Sequence, residues 1–273
     1  MKNTIICAAY NNLELTKITY DSLTWKTENS SNVILINNGS TDKTLEWMEE
    51  ETVDKIPEGG SQTVYVTRDD GLPEEANFDV TFVNNPINGG CGIGRNIGLR
   101  LVSPNSEYVT LIDNDVVLTK GWDTEMINYM DAHPEVGLCG PATNYAGTPQ
   151  LLPKTMGLPT KLEEIEPFAE KYKEANKGRV HGVPPGFVVI GFCMMIRKKA
   201  LDQVGLFDEQ FKLYGNEDND YCLRMVQAGW KLMYYMGVYV HHWGGKSLSI
   251  LGDEGIRQWD ENRKAFDAKW RRK

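Results

Sequence analysis

Several things are scarce in this 273-residue chain, and each scarcity removes a class of answers. Long apolar runs are missing. None approaches the ~20 residues needed to cross a bilayer, so the sequence predicts no membrane span and leaves only peripheral attachment open. Excess positive charge is missing too. Twenty-nine Lys and Arg stand against 38 Asp and Glu, a net charge of −9. That balance opposes loose binding to nucleic acid or anionic lipid. The one clear basic cluster is Lys264, Lys269, Arg271, Arg272 and Lys273, and cations of this kind suit a helix C-terminus. The five cysteines (Cys7, Cys91, Cys139, Cys193 and Cys222) are odd in number and show no short zinc-like spacing. They predict a reduced, cytoplasmic protein without a disulfide framework. The chain enters a strand-like run directly at Thr4-Ile5-Ile6, so no signal peptide is expected. Internal repeats and low-complexity tracts are absent as well.

What is present reads as an α/β protein. Ile5–Ala9 and Val33–Ile36 are short apolar runs. Each is closed by polar punctuation, Tyr10-Asn11-Asn12 and Asn37-Asn38-Gly39-Ser40-Thr41-Asp42, and each is followed by a helical pattern, the second opened by Ser40. This β-α-β-α alternation predicts a mostly parallel sheet with crossover helices, a Rossmann-like α/β/α sandwich. Val64–Val66 and Val80–Val83 are further strand candidates, with an exposed polar excursion from Thr67 to Asn77 between them. Asn88-Gly89-Gly90-Cys91-Gly92-Ile93-Gly94-Arg95-Asn96 is a glycine-rich turn feeding a helix. Such a turn can bring backbone amides to a phosphate or sugar, although glycine clusters also make plain tight turns. It lacks the spacing and position of a dinucleotide fingerprint. The stretch 145–185 is polar and rich in proline and glycine, with helical periodicity from Leu162 to Ala175. It is the expected excursion from the core and a candidate lid. We expect one domain over 1–273. Its parts would be a donor half to residue 115, an acceptor half over 116–250, and a C-terminal helix over 251–273 that packs on the core or on a second copy as a homodimer.

The chemistry concentrates in three places. The run Tyr108–Ile112 ends in Asp113-Asn114-Asp115. Buried carboxylates without partners are costly, and two of them at a strand end suit a hard divalent cation holding a diphosphate. A solvated strand-to-turn junction would use the same residue types. The second place is Glu217-Asp218-Asn219-Asp220 ahead of a helical segment. Acids favour helix N-termini, but three in four residues exceed what capping needs. Crowded carboxylates raise one another's pKa, which suits a general base. The third is His241-His242-Trp243-Gly244-Gly245 at a strand end. Successive strand residues face opposite ways, so at most one histidine should reach a given site. Trp122, Tyr145, Tyr214 and Trp243 are aromatics near these motifs that suit sugar stacking or simple core.

Taken in order, these motifs resemble the family 2 glycosyltransferases of GT-A fold, and especially the rhamnosyltransferase-like branch. The matching segments are Ile5–Asn11, Ile36–Asp42, Asn88-Gly89-Gly90 through Arg95-Asn96-Ile97-Gly98, and Asp113-Asn114-Asp115. Gly205–Glu209, Glu217-Asp218 through Arg224, and His242–Ser247 complete the set, with 145–185 unmatched. The resemblance implies a metal-dependent, inverting transfer of a hexosyl or deoxyhexosyl group from a nucleotide-diphosphate sugar to a hydroxyl of a glycan or glycoconjugate. UDP-sugars are the default donor, with dTDP-rhamnose and GDP-sugars as rivals. It implies that Ala9, Tyr10, Asn11, Asn37, Gly89, Arg95, Asn96, Asp113 and Asn114 line the donor pocket. It implies that Asp113, Asp115 and His242 hold Mn²⁺ or Mg²⁺, with His241 the fallback ligand. Asp218 would be the catalytic base, with Glu217 and Asp220 as rivals. Asn37 departs from the family, which usually has an aspartate there. A carboxylate only accepts hydrogen bonds, whereas an amide also donates, so the base of the nucleotide is left open. Two other readings are a catalytically weak nucleotide-sugar-binding protein and a transferase acting on a modified nucleic-acid base. A cytoplasmic location completes the expectation, with peripheral attachment to the inner membrane face left open.

Overall fold

A computed structural model describes residues 2–50, 54–57, 63–67 and 78–270 of the chain. The donor half is built from β1 (Asn3–Ala9), α1 (Leu13–Lys26), β2 (Ser31–Asn38), α2 (Thr44–Glu50), β3 (Asp54–Pro57), β4 (Thr63–Thr67), β5 (Phe78–Asn85), α3 (Gly90–Arg100) and β6 (Tyr108–Asp113). There follow β7 (Val116–Val117), α4 (Trp122–Ala132), β8 (Val136–Ala142), α5 (Leu162–Asn176), β9 (Val180–Gly182), β10 (Cys193–Arg197), α6 (Lys198–Val204), α7 (Glu217–Gln227), β11 (Lys231–Tyr239), β12 (His241–His242) and α8 (Lys246–Trp270).

Ten strands form one sheet in the order β3-β4-β5-β2-β1-β6-β10-β8-β11-β9. Its centre, β5-β2-β1-β6, is parallel throughout. Only β4, β10 and β9 run against the rest. Parallel strands covered on both faces should be apolar at successive positions, and they are. Ile6, Ile34, Ile36 and Leu111 fill the core on one face, while Ile5, Cys7, Val33, Leu35 and Ile112 fill it on the other. Among the described residues no helix is long and apolar enough to cross a membrane, and all five cysteines are free thiols.

Several local expectations change in the folded chain. The segment after β2 does not turn helical at Ser40. It first makes a tight turn, and α2 starts at Thr44, whose N–H is taken by Asp42 Oδ1 at 3.0 Å. The glycine-rich stretch is not a turn before a helix but the first turns of α3 itself. A Cβ at Gly98 would lie 2.4 Å from Ile6 Cγ2, and one at Gly94 3.0–3.1 Å from Asn38 and Ala8. These glycines let α3 lie against β1 and β2, which is a packing role. The stretch 145–185 is mostly exposed but is tied to the core at two places. α5 buries Ile165, Ala169 and Tyr172, and β9 pairs with β11 as an edge strand. α8 begins earlier than expected and breaks at Gly252, where φ is +53°. Residues 68–77 of the expected polar excursion, and 271–273 of the basic tail, lie outside the described residues.

Candidate active site

Ligands of open α/β sheets sit beyond the carboxyl ends of the strands, and the marked residues gather there. Ala8 on β1 is in register with Asp113 on β6, and Ala9 with Asn37 on β2. After Asp113 the chain turns with Asn114 directed inward. The Asn114 amide donates to the Asn11 carbonyl at 3.0 Å and to Thr16 Oγ1 at 2.9 Å. Anchoring the middle residue leaves Asp113 and Asp115 free to face the same space. A two-stranded ribbon then delivers the histidine, because β12 pairs antiparallel with β7 and sets His242 opposite Val116. His242 Nε2 lies 3.2 Å from Asp115 Oδ1. His241 points the other way, to the Tyr239 hydroxyl at 2.9 Å. Burial pushes the His241 imidazole down to about 4, helped by the neighbouring His242. Burial would lower His242 as well, but its bond to Asp115 and the charges of Asp115 and Asp113 outweigh it and raise its pKa.

One ligand atom from each of Asp113, Asp115 and His242 lies within 4.8 Å of the others. The donor set of two carboxylate oxygens and an imidazole nitrogen suits Mn²⁺ or Mg²⁺. The orientation suits it too. His242 Nδ1 is 3.0 Å from the Tyr145 carbonyl, which can only accept. That bond places a ring proton on Nδ1 and turns Nε2 toward the carboxylates, the arrangement of a metal-ligating histidine. The residues present therefore fit a divalent cation.

The second acidic cluster is organised around Arg95. This buried guanidinium donates from Nη1 to Asp218 Oδ1 at 2.7 Å and from Nη2 to Asp113 Oδ1 at 3.0 Å. Glu217 Oε1 lies 3.6 Å from Nη1. The other oxygen of Asp218 accepts the Gly191 N–H at 2.8 Å. Gly191 has to be glycine, because a Cβ there would come within 2.3 Å of Arg95 Nη2. Asp220 is committed elsewhere. It is fully buried and accepts from Arg224, Lys269 and the Trp270 indole. Glu217 differs from both. It is buried, its Oε2 has no hydrogen-bond partner, and burial followed by the Asp218 charge pushes its carboxyl up to about 7.

These groups surround one cavity of about 370 Å³. Tyr10, Arg95, Asp113, Asn114, Asp115, Glu217, Asp218 and His242 line it. Ala9, Asn11, Asn37, Gly89 and Asn96 do not, for physical reasons. Ala9 is wholly buried. The Asn11 side-chain oxygen accepts the Thr41 and Asp42 N–H groups and closes the two loops together. Asn37 donates to Asn84 and accepts from the Ser40 amide. Gly89 N–H is tied to Asn38 Oδ1. Asn96 donates to the Phe207 carbonyl and Glu209 and accepts the Phe207 N–H. Of the named aromatics, Tyr145 and Tyr214 reach the cavity. Trp122 is fully buried in α4, and Trp243 packs edge-on against His241. Trp259 on α8 lines the cavity and was not anticipated. Its only signal in the sequence is an aromatic set among the polar residues of 257–264.

A family model described as Glycosyl transferase family 2 matches residues 4–205. The chain is 26% identical over 166 residues to the pre-mycofactocin glycosyltransferase of Mycobacterium tuberculosis, covering 58% of this chain and 31% of that protein. It is 26% identical over 231 residues to the N-acetylglucosaminyl-diphospho-decaprenol L-rhamnosyltransferase of the same organism, covering 81% and 69%. The chain thus spans about a third of the length of the first of these relatives. The solved mannosyltransferase of Pyrobaculum calidifontis, in complex with GDP-Man and Mn²⁺, matches with a TM-score of 0.58 at 16% identity. That match covers 96% of this chain and 60% of the other.

Proposed function

The chain belongs to glycosyl transferase family 2 and has the GT-A fold, and from that premise we propose that it is a metal-dependent, inverting glycosyltransferase. It takes a sugar from a nucleotide-diphosphate donor, UDP-linked by default, and gives it to a hydroxyl of a glycan or glycoconjugate. The observation that carries this reading is the convergence of Asp113, Asp115 and His242 within 4.8 Å, on a cavity also lined by Asp218. We read the chain as one domain, with donor binding in residues 1–115 and acceptor binding in 116–250. Five free thiols suit a reducing, cytoplasmic setting.

Asp113, Asp115 and His242 would hold Mn²⁺ or Mg²⁺, which supplies neutralisation of the diphosphate leaving group. Tyr10 stands at the end of β1, where the nucleotide would enter. Asp218 takes the proton of the acceptor hydroxyl as that oxygen bonds to the anomeric carbon. The bond from that carbon to the diphosphate oxygen breaks on the opposite side, so the anomeric centre inverts. The transition state has oxocarbenium character. Arg95 and the Gly191 N–H each take one oxygen of Asp218 and fix the carboxylate in direction. A general base gains from such positioning before the substrate arrives.

The test is a nucleotide-release assay with UDP-, GDP- and dTDP-sugars, in Mn²⁺, Mg²⁺ or chelator. Release that needs metal and one nucleotide, with NMR of the product showing the opposite anomer, supports the reading. Absence of release from every donor, in a folded sample, overturns it.

A further inference from the structure

The proposed base and metal residues leave one wall of the cavity without a role, and it belongs to α8. Trp259 lines that wall with 40% of its surface exposed. It stands beyond residues 4–205, the part that the family model matches. A large apolar ring facing an open cavity loses the benefit of burial unless something covers it.

The ring is held in place rather than trailing at the surface. Gly215, with φ at +99°, passes beneath it, and a Cβ there would lie 2.5 Å from Trp259 Cδ1. One turn further along α8, Asn262 is buried. It donates to the Lys212 and Tyr214 carbonyls and accepts the Lys212 N–H. Lys269 reaches Asp208 at 2.7 Å and Asp220 at 2.6 Å, and the Trp270 indole donates to Asp220 at 2.9 Å. The third acid of the cluster thus serves to dock the helix that carries Trp259. The polar counterpart is in the same cavity. Glu217 Oε2 is buried and has no partner, and an unpaired buried carboxylate oxygen is costly unless a ligand completes it. Across the cavity, Tyr145 is half exposed and packs edge-on against His242.

An aromatic face beside a hydrogen-bonding carboxylate matches a pyranose, which has an apolar C–H face and a rim of hydroxyls. We infer that Trp259 is the platform on which the acceptor's sugar ring stacks, with Glu217 binding one of its hydroxyls, so that the acceptor is a carbohydrate. This rests on the transferase reading, which it deepens by naming the residues that hold the acceptor's sugar ring. The platform lies beside Gly215, three residues before Asp218, and lines the same cavity as that base.

The test uses saturation-transfer NMR on the full chain with methyl β-D-glucoside, methyl β-D-galactoside, methyl α-D-mannoside and methyl α-L-rhamnoside as probes. Melting temperature is measured in parallel with UDP or GDP and Mn²⁺. The expected result is saturation of the ring C–H protons of at least one glycoside. It should fall about five-fold or more in Trp259→Ala and Trp259→Leu and survive in Trp259→Tyr. Leucine keeps apolar bulk without a flat face, so loss in that variant reports stacking rather than packing. Equal saturation in all variants, or none in the wild type, overturns the inference. If the nucleotide-induced rise in melting temperature persists in that case, the transferase reading stands and only the acceptor assignment falls. If the nucleotide has no effect, the transferase reading fails, and the glycoside signals still decide the platform.

Discussion

The two acidic clusters of this chain are built in opposite ways. At the end of β6, Asp113, Asp115 and His242 converge with ligand atoms within 4.8 Å, and the charges they bring exceed what Arg95 alone balances. At the start of α7, each carboxylate has a different arrangement. Asp218 is clasped by Arg95 and Gly191. Asp220 is spent on Arg224, Lys269 and Trp270. Glu217 keeps one oxygen bare. The first cluster is prepared for a cation from outside, and the second carries its cations with it. The lesson is that carboxylate density alone does not identify a role; the partners already present do. Arg95 joins the two clusters, since one guanidinium donates to Asp113 in the first and to Asp218 in the second.

Breaking the first cluster should have the largest effect. Asp115→Ala removes a ligand oxygen and the partner of His242. It should lower sugar transfer by several kcal/mol, roughly 10³-fold. Excess Mn²⁺ that restores full turnover would show that Asp115 is not a required ligand. Asp218→Asn comes next. It keeps the shape but cannot take a proton, and turnover should drop by about 10²–10⁴-fold. The thermal shift given by nucleotide and Mn²⁺ should persist. Loss of that shift would mean that Asp218 belongs to donor binding instead.

The link between the clusters can be cut through stability. Arg95→Leu strands Asp113 and Asp218 without their shared cation. Breaking such a buried pair costs about 3–5 kcal/mol, readable in denaturant unfolding. Adding Asp218→Leu should recover part of the loss, because the stranded charge is gone. Additive losses would show that the two side chains do not act as a pair.

The smallest effect separates Glu217 from its neighbours. Its folded pKa is raised to about 7 from an ordinary 4.5. Between those values the folded state binds more protons than the unfolded state. The contribution of Glu217 to stability is therefore fully present below about 4.5 and lost as pH rises through 7. Glu217→Gln, which stays neutral, should be more stable than wild type at pH 8 by on the order of 1 kcal/mol. The difference should shrink as pH falls. A variant less stable than wild type at pH 8 would show that the ion pair of Glu217 with Arg95 outweighs the cost of burying its charge.

Much of this arrangement could be read from the chain, and the parts that could not share a cause. Buried parallel strands announce themselves, so Ile5–Ala9, Val33–Ile36 and Tyr108–Ile112 marked the sheet centre. Asp113 and Asp115 stood out because acids at the end of such a run need a reason, and Asp218 as one of three acids in four residues ahead of a helix. Side chains that act through a partner distant in sequence did not stand out. Asn37 and Asn96 carry motif positions, yet their amides serve Asn84, Ser40, Phe207 and Glu209. Gly94 and Gly98 resemble a ligand loop, but what they meet is β1 and β2. Trp259 reaches the cavity only because Asn262 and Lys269 bind loops some 50 to 60 residues away.

The most direct test of the central claim is Mn²⁺ binding followed by electron paramagnetic resonance, with UDP or GDP added. Wild-type chain should quench the free-ion signal more strongly when its nucleotide is present. Asp115→Ala and His242→Ala should leave the signal close to that of Mn²⁺ with nucleotide alone. Equal quenching by wild type and both variants would place the metal elsewhere and contradict the account.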